Sequence, residues 1–129
     1  MSRNFGQLTQ QTLGGLLAAL DARERELRAQ VAERRSALEE QGLAADPAGD
    51  EADRAFGRVR STIENDLLDL HLRELALIEA ARARAAEGRY GQCADCGEPI
   101  PRARLEANPT ALRCADCQGR REKLFAAAP

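Results

Sequence analysis

Four cysteines stand in two C-x2-C pairs, Cys93 with Cys96 and Cys114 with Cys117, and seventeen residues separate the pairs. Nothing else in the chain restricts its fold so tightly. Each pair can place two sulfurs on one edge of a tetrahedron, and the intervening loop can close both pairs around one ion. The spacing therefore predicts one structural zinc ion bound by these four residues. Gly97, directly after the first pair, suits the tight backbone turn such a knuckle needs. Ile100, Leu105 and Leu112 can supply a small apolar cluster. A module of about 30 residues buries too little surface to fold alone, so the metal should supply much of its stability.

Other uses of the cysteines fit less well. A thioredoxin-like redox pair needs a βαβ context, which the sequence lacks. A catalytic zinc keeps one coordination position open. Four thiolates close the site, and the single histidine, His71, falls outside the cysteine segment. It reads as a solvent-facing or intrahelical side chain. No apolar signal segment is visible near Met1, so a cytoplasmic protein is expected, and there paired cysteines read as metal ligands rather than disulfides. The longest apolar stretch, from Leu13 to Leu20, is far too short to span a bilayer, so no membrane is expected as a partner.

The rest of the chain reads as helix. Ala, Leu, Arg and Glu dominate, there is no Trp, and Tyr and Phe number one and three. Such a composition favours long helices over a large aromatic core. Apolar residues at Leu13, Leu17, Leu20, Leu27, Val31 and Leu38, with Glu24 and Arg34 filling the gaps, form a heptad-like stripe. Gly42 reads as a helix stop before a turn through Asp46-Pro47. A second, broader stripe runs through Phe56, Val59, Ile63, Leu67, Leu70, Leu77 and Ala81, with Leu68, Leu72, Leu75 and Ile78 alongside, and Glu87-Gly88 ends it. Two long helices joined by a short turn predict a mainly α protein built on an antiparallel coiled-coil hairpin. At roughly 35 residues and about 1.5 Å rise per residue, each helix would span about 50 Å. The expected organisation is a flexible N-terminus over 1–7 and a hairpin over 8–89 with its tip at about 42–55. The zinc finger follows over 90–118, and a short C-terminal helix and tail over 119–129.

Charge is unevenly spread. From Ser36 to Asp53 there is no Lys or Arg, but there are six acids: Glu39, Glu40, Asp46, Asp50, Glu51 and Asp53. Local physics explains part of this: Asp50 can cap the second helix, and Glu51 and Asp53 favour its N-terminal dipole. Capping uses one carboxylate, which leaves an acidic point on an arm, suited to a basic or metal-containing cavity. The formal charge is −2, and about −4 once four thiolates hold Zn2+. That balance argues against a general nucleic-acid binder.

The run Tyr90-Gly91-x-Cys93-x2-Cys96-Gly97-x2-Ile100-x3-Arg104-Leu105-Glu106-Ala107-x-Pro109-Thr110-x3-Cys114-x2-Cys117 resembles the C4 zinc finger of the DksA/TraR family. Asp50-x-x-Asp53-x-Ala55 is similar to that family's D-x-x-D-x-A signature at the coiled-coil tip. The resemblance covers about residues 8 to 123. It implies a non-enzymatic regulator of bacterial transcription initiation, expected to act as a monomer. Such a protein enters the secondary channel of RNA polymerase, brings Asp50, Asp53 and Ala55 near the active site, and changes the stability of promoter complexes without sequence-specific DNA binding. In members that build a guanosine tetraphosphate (ppGpp) site with polymerase, basic residues contribute. The matching positions here include Leu77, Asn108 and Gln118, with Arg104 retained. None of those three can pair with phosphate by charge, so a ppGpp-insensitive or weakly sensitive paralogue is expected. Two rival readings are a zinc-stabilised protein-interaction adaptor that does not touch polymerase, and a transcript-cleavage factor whose tip acids hold a catalytic metal.

Overall fold

The computed structural model describes residues 8–44 and 49–127. The expected flexible N-terminus over 1–7, the middle of the turn and the last two residues of the tail lie outside the described residues. The protein is mainly α. Helix α1 spans Gln10–Ala44, α2 Glu51–Ala86, α3 Arg102–Ala107 and α4 Ala115–Ala127. An isolated antiparallel bridge joins Gln92 and Pro99, and no strand is present among the described residues.

Helix ends follow capping chemistry. The Thr9 hydroxyl oxygen accepts the Thr12 N–H at 3.0 Å, covering an orphan donor of α1. Gly42 does not stop α1, which continues to Ala44. One glycine weakens a helix by about 1 kcal/mol, too little to end it by itself. Asp50 caps α2, as the sequence suggested: its Oδ1 accepts the Asp53 N–H at 2.8 Å. The far end of α2 closes with Gly88 at φ +73°. There the Arg89 N–H reaches the Arg84 carbonyl at 2.8 Å, and the Gly88 N–H reaches that of Ala85 at 3.1 Å. This paired closure, with a left-handed residue between, satisfies carbonyls the helix would otherwise leave open.

The chain divides into two compact units, Met1–Ala22 with Leu77–Pro129, and Arg23–Ala76. In the first, the buried residues come from all its segments: Leu16 and Leu20, Ile78 and Ala81, and Ile100 and Leu105. Asp21 and Arg82 pair there as ions.

In the second unit, α1 and α2 run antiparallel. Arg23 pairs with Glu74, Arg34 with Glu64, and Gln41 with Ser61, so partners descend along α2 as they ascend along α1. Leu27 and Val31 are buried as expected. The expected stripe of α2 turns inward only in part: Leu67 is half-buried and, further along, Ala81 is buried. Phe56, Val59, Ile63 and Leu70 are all more than half exposed. The face turned inward carries Ser61, Glu64, Leu67, Leu68, His71 and Glu74, each half-buried. Three of these six are the partners just named, so polar pairs occupy much of the seam, and counting apolar residues captures Leu67 but misses the polar positions beside it. His71 is not solvent-facing: its Nδ1 is enclosed without a hydrogen-bond partner.

Candidate functional site

Each cysteine pair is shaped by its own short segment. Cys93 follows the Gln92–Pro99 bridge, and its N–H binds the Glu98 carbonyl at 2.8 Å. The chain reverses at Gly97, where φ is +78°, and the Gly97 N–H returns to the Cys93 carbonyl at 3.0 Å. The Cys96 N–H points at Cys93 Sγ, 3.5 Å away. The second pair repeats the device on a different scaffold. Cys114 immediately precedes α4 and Cys117 lies in its first turn, with the Cys117 N–H at 3.5 Å from Cys114 Sγ. Helix α4 therefore begins at Ala115, inside the stretch assigned to the zinc module, rather than near Gly119. The Ala94 N–H binds the Leu112 carbonyl at 2.8 Å and ties the two pairs together.

The loop between the pairs contains α3, which sequence inspection treated as loop. Its residues, Arg-Ala-Arg-Leu-Glu-Ala, are good helix formers, but six residues give too short a periodic signal. Leu105 on α3 is fully buried. The Tyr90 hydroxyl donates to the Pro109 carbonyl at 2.7 Å, and burial pushes its ionisation up to about 12, so it remains a donor. Arg104 Nε donates to the Arg113 carbonyl at 2.9 Å, and Arg113 Nε to Asp95 at 3.0 Å. Nothing in the sequence pattern marks these partners, because they depend on how the loop folds.

All four Sγ atoms lie within 4.8 Å of one another, and those of Cys96 and Cys114 are 3.9 Å apart. A tetrahedral ion with Zn–S bonds of about 2.3 Å needs sulfurs about 3.8 Å apart, so the donor set fits. Electrostatics favour the same ion. Burial opposes charge on Cys93, but backbone hydrogen bonds from Cys96, Cys114 and Asp95 outweigh it and bring its thiol down to about 6. Cys117 is pushed up to about 12, chiefly by the Cys114 sulfur beside it. One thiolate forms readily, and gathering the others requires a cation among them. With four protein ligands no position is left for water or substrate, so the zinc is structural.

The prokaryotic dksA/traR C4-type zinc finger is the family model that matches, over residues 88–123. Over 74 residues the chain is 39% identical to the RNA polymerase-binding transcription factor DksA of Caulobacter vibrioides, covering 57% of this chain and 52% of that protein. The chain belongs to the DksA/TraR family. An uncharacterized Haemophilus influenzae protein is 41% identical over 69 residues, 54% of this chain and 88% of that one. Among solved structures, transcription factor DksA2 from Pseudomonas aeruginosa is similar with a TM-score of 0.77 and 29% identity, covering 91% of this chain and 88% of that one. The match spans about half the length of the curated DksA relative from Caulobacter.

The Asp50-x-x-Asp53-x-Ala55 motif falls at the start of α2. Asp50 and Asp53 are exposed and Ala55 is half-buried. Glu51 is engaged by Arg58 at 2.9 Å and Arg54 at 3.5 Å. Separately, Leu77, Arg104, Asn108 and Gln118 line one cleft of about 530 Å3. Sequence inspection grouped these four positions through the family's ppGpp contacts, and the fold brings them together. The chain has no described helix long and apolar enough to cross a membrane.

Proposed function

We propose that this chain is a non-enzymatic, cytoplasmic regulator of bacterial transcription initiation that binds RNA polymerase. It enters the secondary channel, places Asp50, Asp53 and Ala55 near the active site, and changes the stability of promoter complexes. The observation that carries this reading is the C4 zinc finger continuous with a long helical pair, a combination similar to proteins named as RNA polymerase-binding DksA. In this reading zinc, held by Cys93, Cys96, Cys114 and Cys117, orders the loop between the pairs. The working groups are the exposed carboxylates at the start of α2.

The cleft chemistry supports a weak or absent ppGpp response. Leu77, Asn108 and Gln118 bring no positive charge to it. Its two arginines, Arg104 and Arg113, already spend their Nε donors on the Arg113 carbonyl and on Asp95. Their Nη groups are the cationic donors left along the cleft lining, where Glu122 adds a negative charge against phosphate.

Binding of the zinc-loaded chain to purified bacterial RNA polymerase tests the proposal. Retention of the chain by polymerase, with no release of cleaved transcript from stalled complexes, is expected. No retention would favour an adaptor with other partners, and transcript cleavage would favour a cleavage factor.

A further inference from the structure

Two arginines reach back towards the acidic start of α2. Helix side chains lean towards the N-terminal end, and Arg54 and Arg58 both follow Asp53 in the chain. Arg54 stands four residues after Asp50, a spacing at which helix side chains meet. Over residues 50–58 three acids, Asp50, Glu51 and Asp53, thus share one short stretch with two bases. Glu51 engages both bases. Its Oε1 accepts Arg58 Nη2 at 2.9 Å, and its Oε2 pairs with Arg54 Nε at 3.5 Å. Steps of three and seven residues set these three side chains on one face of the helix, and Asp53, two residues after Glu51, points off that face. Among the described residues no ion pair reaches the Asp50 or Asp53 carboxylate, and both residues are exposed.

We propose that Glu51 is a positioning residue for the tip: it holds Arg54 and Arg58 on its own face and so leaves the charge of Asp50 and Asp53 open to the cavity the arm enters. The proposal rests on the assignment of those two aspartates as the working groups. Without the Glu51 charge, the two arginines would balance the two aspartates one for one, and Asp50 would lose its competitor for Arg54. An acidic point would become a neutral one. Exposed pairs are weak, so Glu51 tunes the tip rather than creating it, and an effect of about two- to fivefold fits such pairs. Glu51 also favours the N-terminal dipole of α2. That contribution is to helix stability, and removing Arg58 does nothing to replace it.

The test is promoter output in vitro from a ribosomal RNA promoter, with the full zinc-loaded chain titrated and its retention on polymerase measured alongside. Glu51→Gln should bind polymerase as the wild type does and need about two- to fivefold more protein for the same promoter effect. Glu51→Gln/Arg58→Gln should recover wild-type regulation, because the released cation is gone. Glu51→Gln/Arg73→Gln should not recover it. That pair restores the same total charge, but Arg73 is exposed far along α2. Wild-type regulation by Glu51→Gln, in an assay where Asp50→Asn/Asp53→Asn loses regulation, overturns the proposal and leaves the tip assignment standing. A defect that Arg58→Gln does not repair also overturns it and assigns Glu51 to the helix dipole. Loss of retention by Glu51→Gln overturns it as well, making Glu51 a binding contact. Wild-type regulation by Asp50→Asn/Asp53→Asn would overturn the tip assignment itself, and this proposal with it.

Discussion

The Asp50 carboxylate accepts the backbone N–H of Asp53 at 2.8 Å, so two acids three residues apart have different structural duties. Asp50 satisfies the first turn of α2, while the Asp53 side chain is exposed.

Cap chemistry makes the first prediction. Asn caps a helix about as well as Asp, whereas Ala loses about 1 kcal/mol. Asp50→Asn should therefore melt like the wild type and Asp50→Ala should melt earlier. Circular dichroism melting measures both, and an Asn variant as unstable as the Ala variant would remove the cap from the account.

Glycines 91 and 97 both sit at positive φ but should differ in cost. A Cβ on Gly91 would come within 2.7 Å of Leu8 Cδ1, whereas on Gly97 its nearest neighbour is Gln92 Nε2 at 3.8 Å. Gly97→Ala should cost only backbone strain, about 1–2 kcal/mol. Gly91→Ala should cost more, because Leu8 must also move. Denaturant unfolding of the zinc-loaded variants gives the order, and equal costs would contradict the packing of Leu8 against this turn.

The Arg23–Glu74 pair predicts a pH dependence. Arg23 Nε and Nη2 donate to both Glu74 oxygens at 2.7 and 2.9 Å. These hydrogen bonds are the main reason the Glu74 carboxyl is held below its usual range. A folded-state value below the unfolded one contributes stability that is present above about pH 4.3 and lost as pH falls through the folded value. Both side chains remain over a third exposed, so screening limits the contribution to under about 1 kcal/mol. The melting difference between wild type and Glu74→Gln should shrink between about pH 5 and about pH 3. A difference that grows on acidification would reverse the assigned sign.

Zinc removal should act locally. Chelation should strip hydrogen-exchange protection from the amides of Ala94, Ile100 and Gln118, whose bonds cross or leave the cysteine loops. The amides around Leu27 and Val31, buried in the other unit, should keep theirs. Uniform loss along the chain would mean the metal supports more than its own module.

The sequence made the zinc centre legible because ligand spacing is chemistry that needs no tertiary context. The two helices were legible for a similar reason: their length and caps are local. The face of α2 was legible only in part, through Leu67 and Ala81. Phe56, Val59, Ile63 and Leu70 form a cleaner apolar repeat than the true inward set, yet Glu64 and Glu74 lie inward because Arg34 and Arg23 meet them there. Which polar residues pair across helices is a tertiary fact, and a count of apolar spacings does not contain it. The start of α4 was hidden for a related reason. Its first turn belongs to the Cys114–Cys117 knuckle, so ligand and helix signals overlap.

Transcription in vitro from a ribosomal RNA promoter, with the Asp50→Asn/Asp53→Asn double variant beside wild type and with polymerase binding measured in parallel, tests the central claim most directly. Both substitutions preserve helix capping and size while removing the two charges. The account predicts that wild-type protein changes promoter output with little added effect of ppGpp, and that the double variant binds polymerase but loses that regulation. Wild-type regulation by the double variant would contradict it.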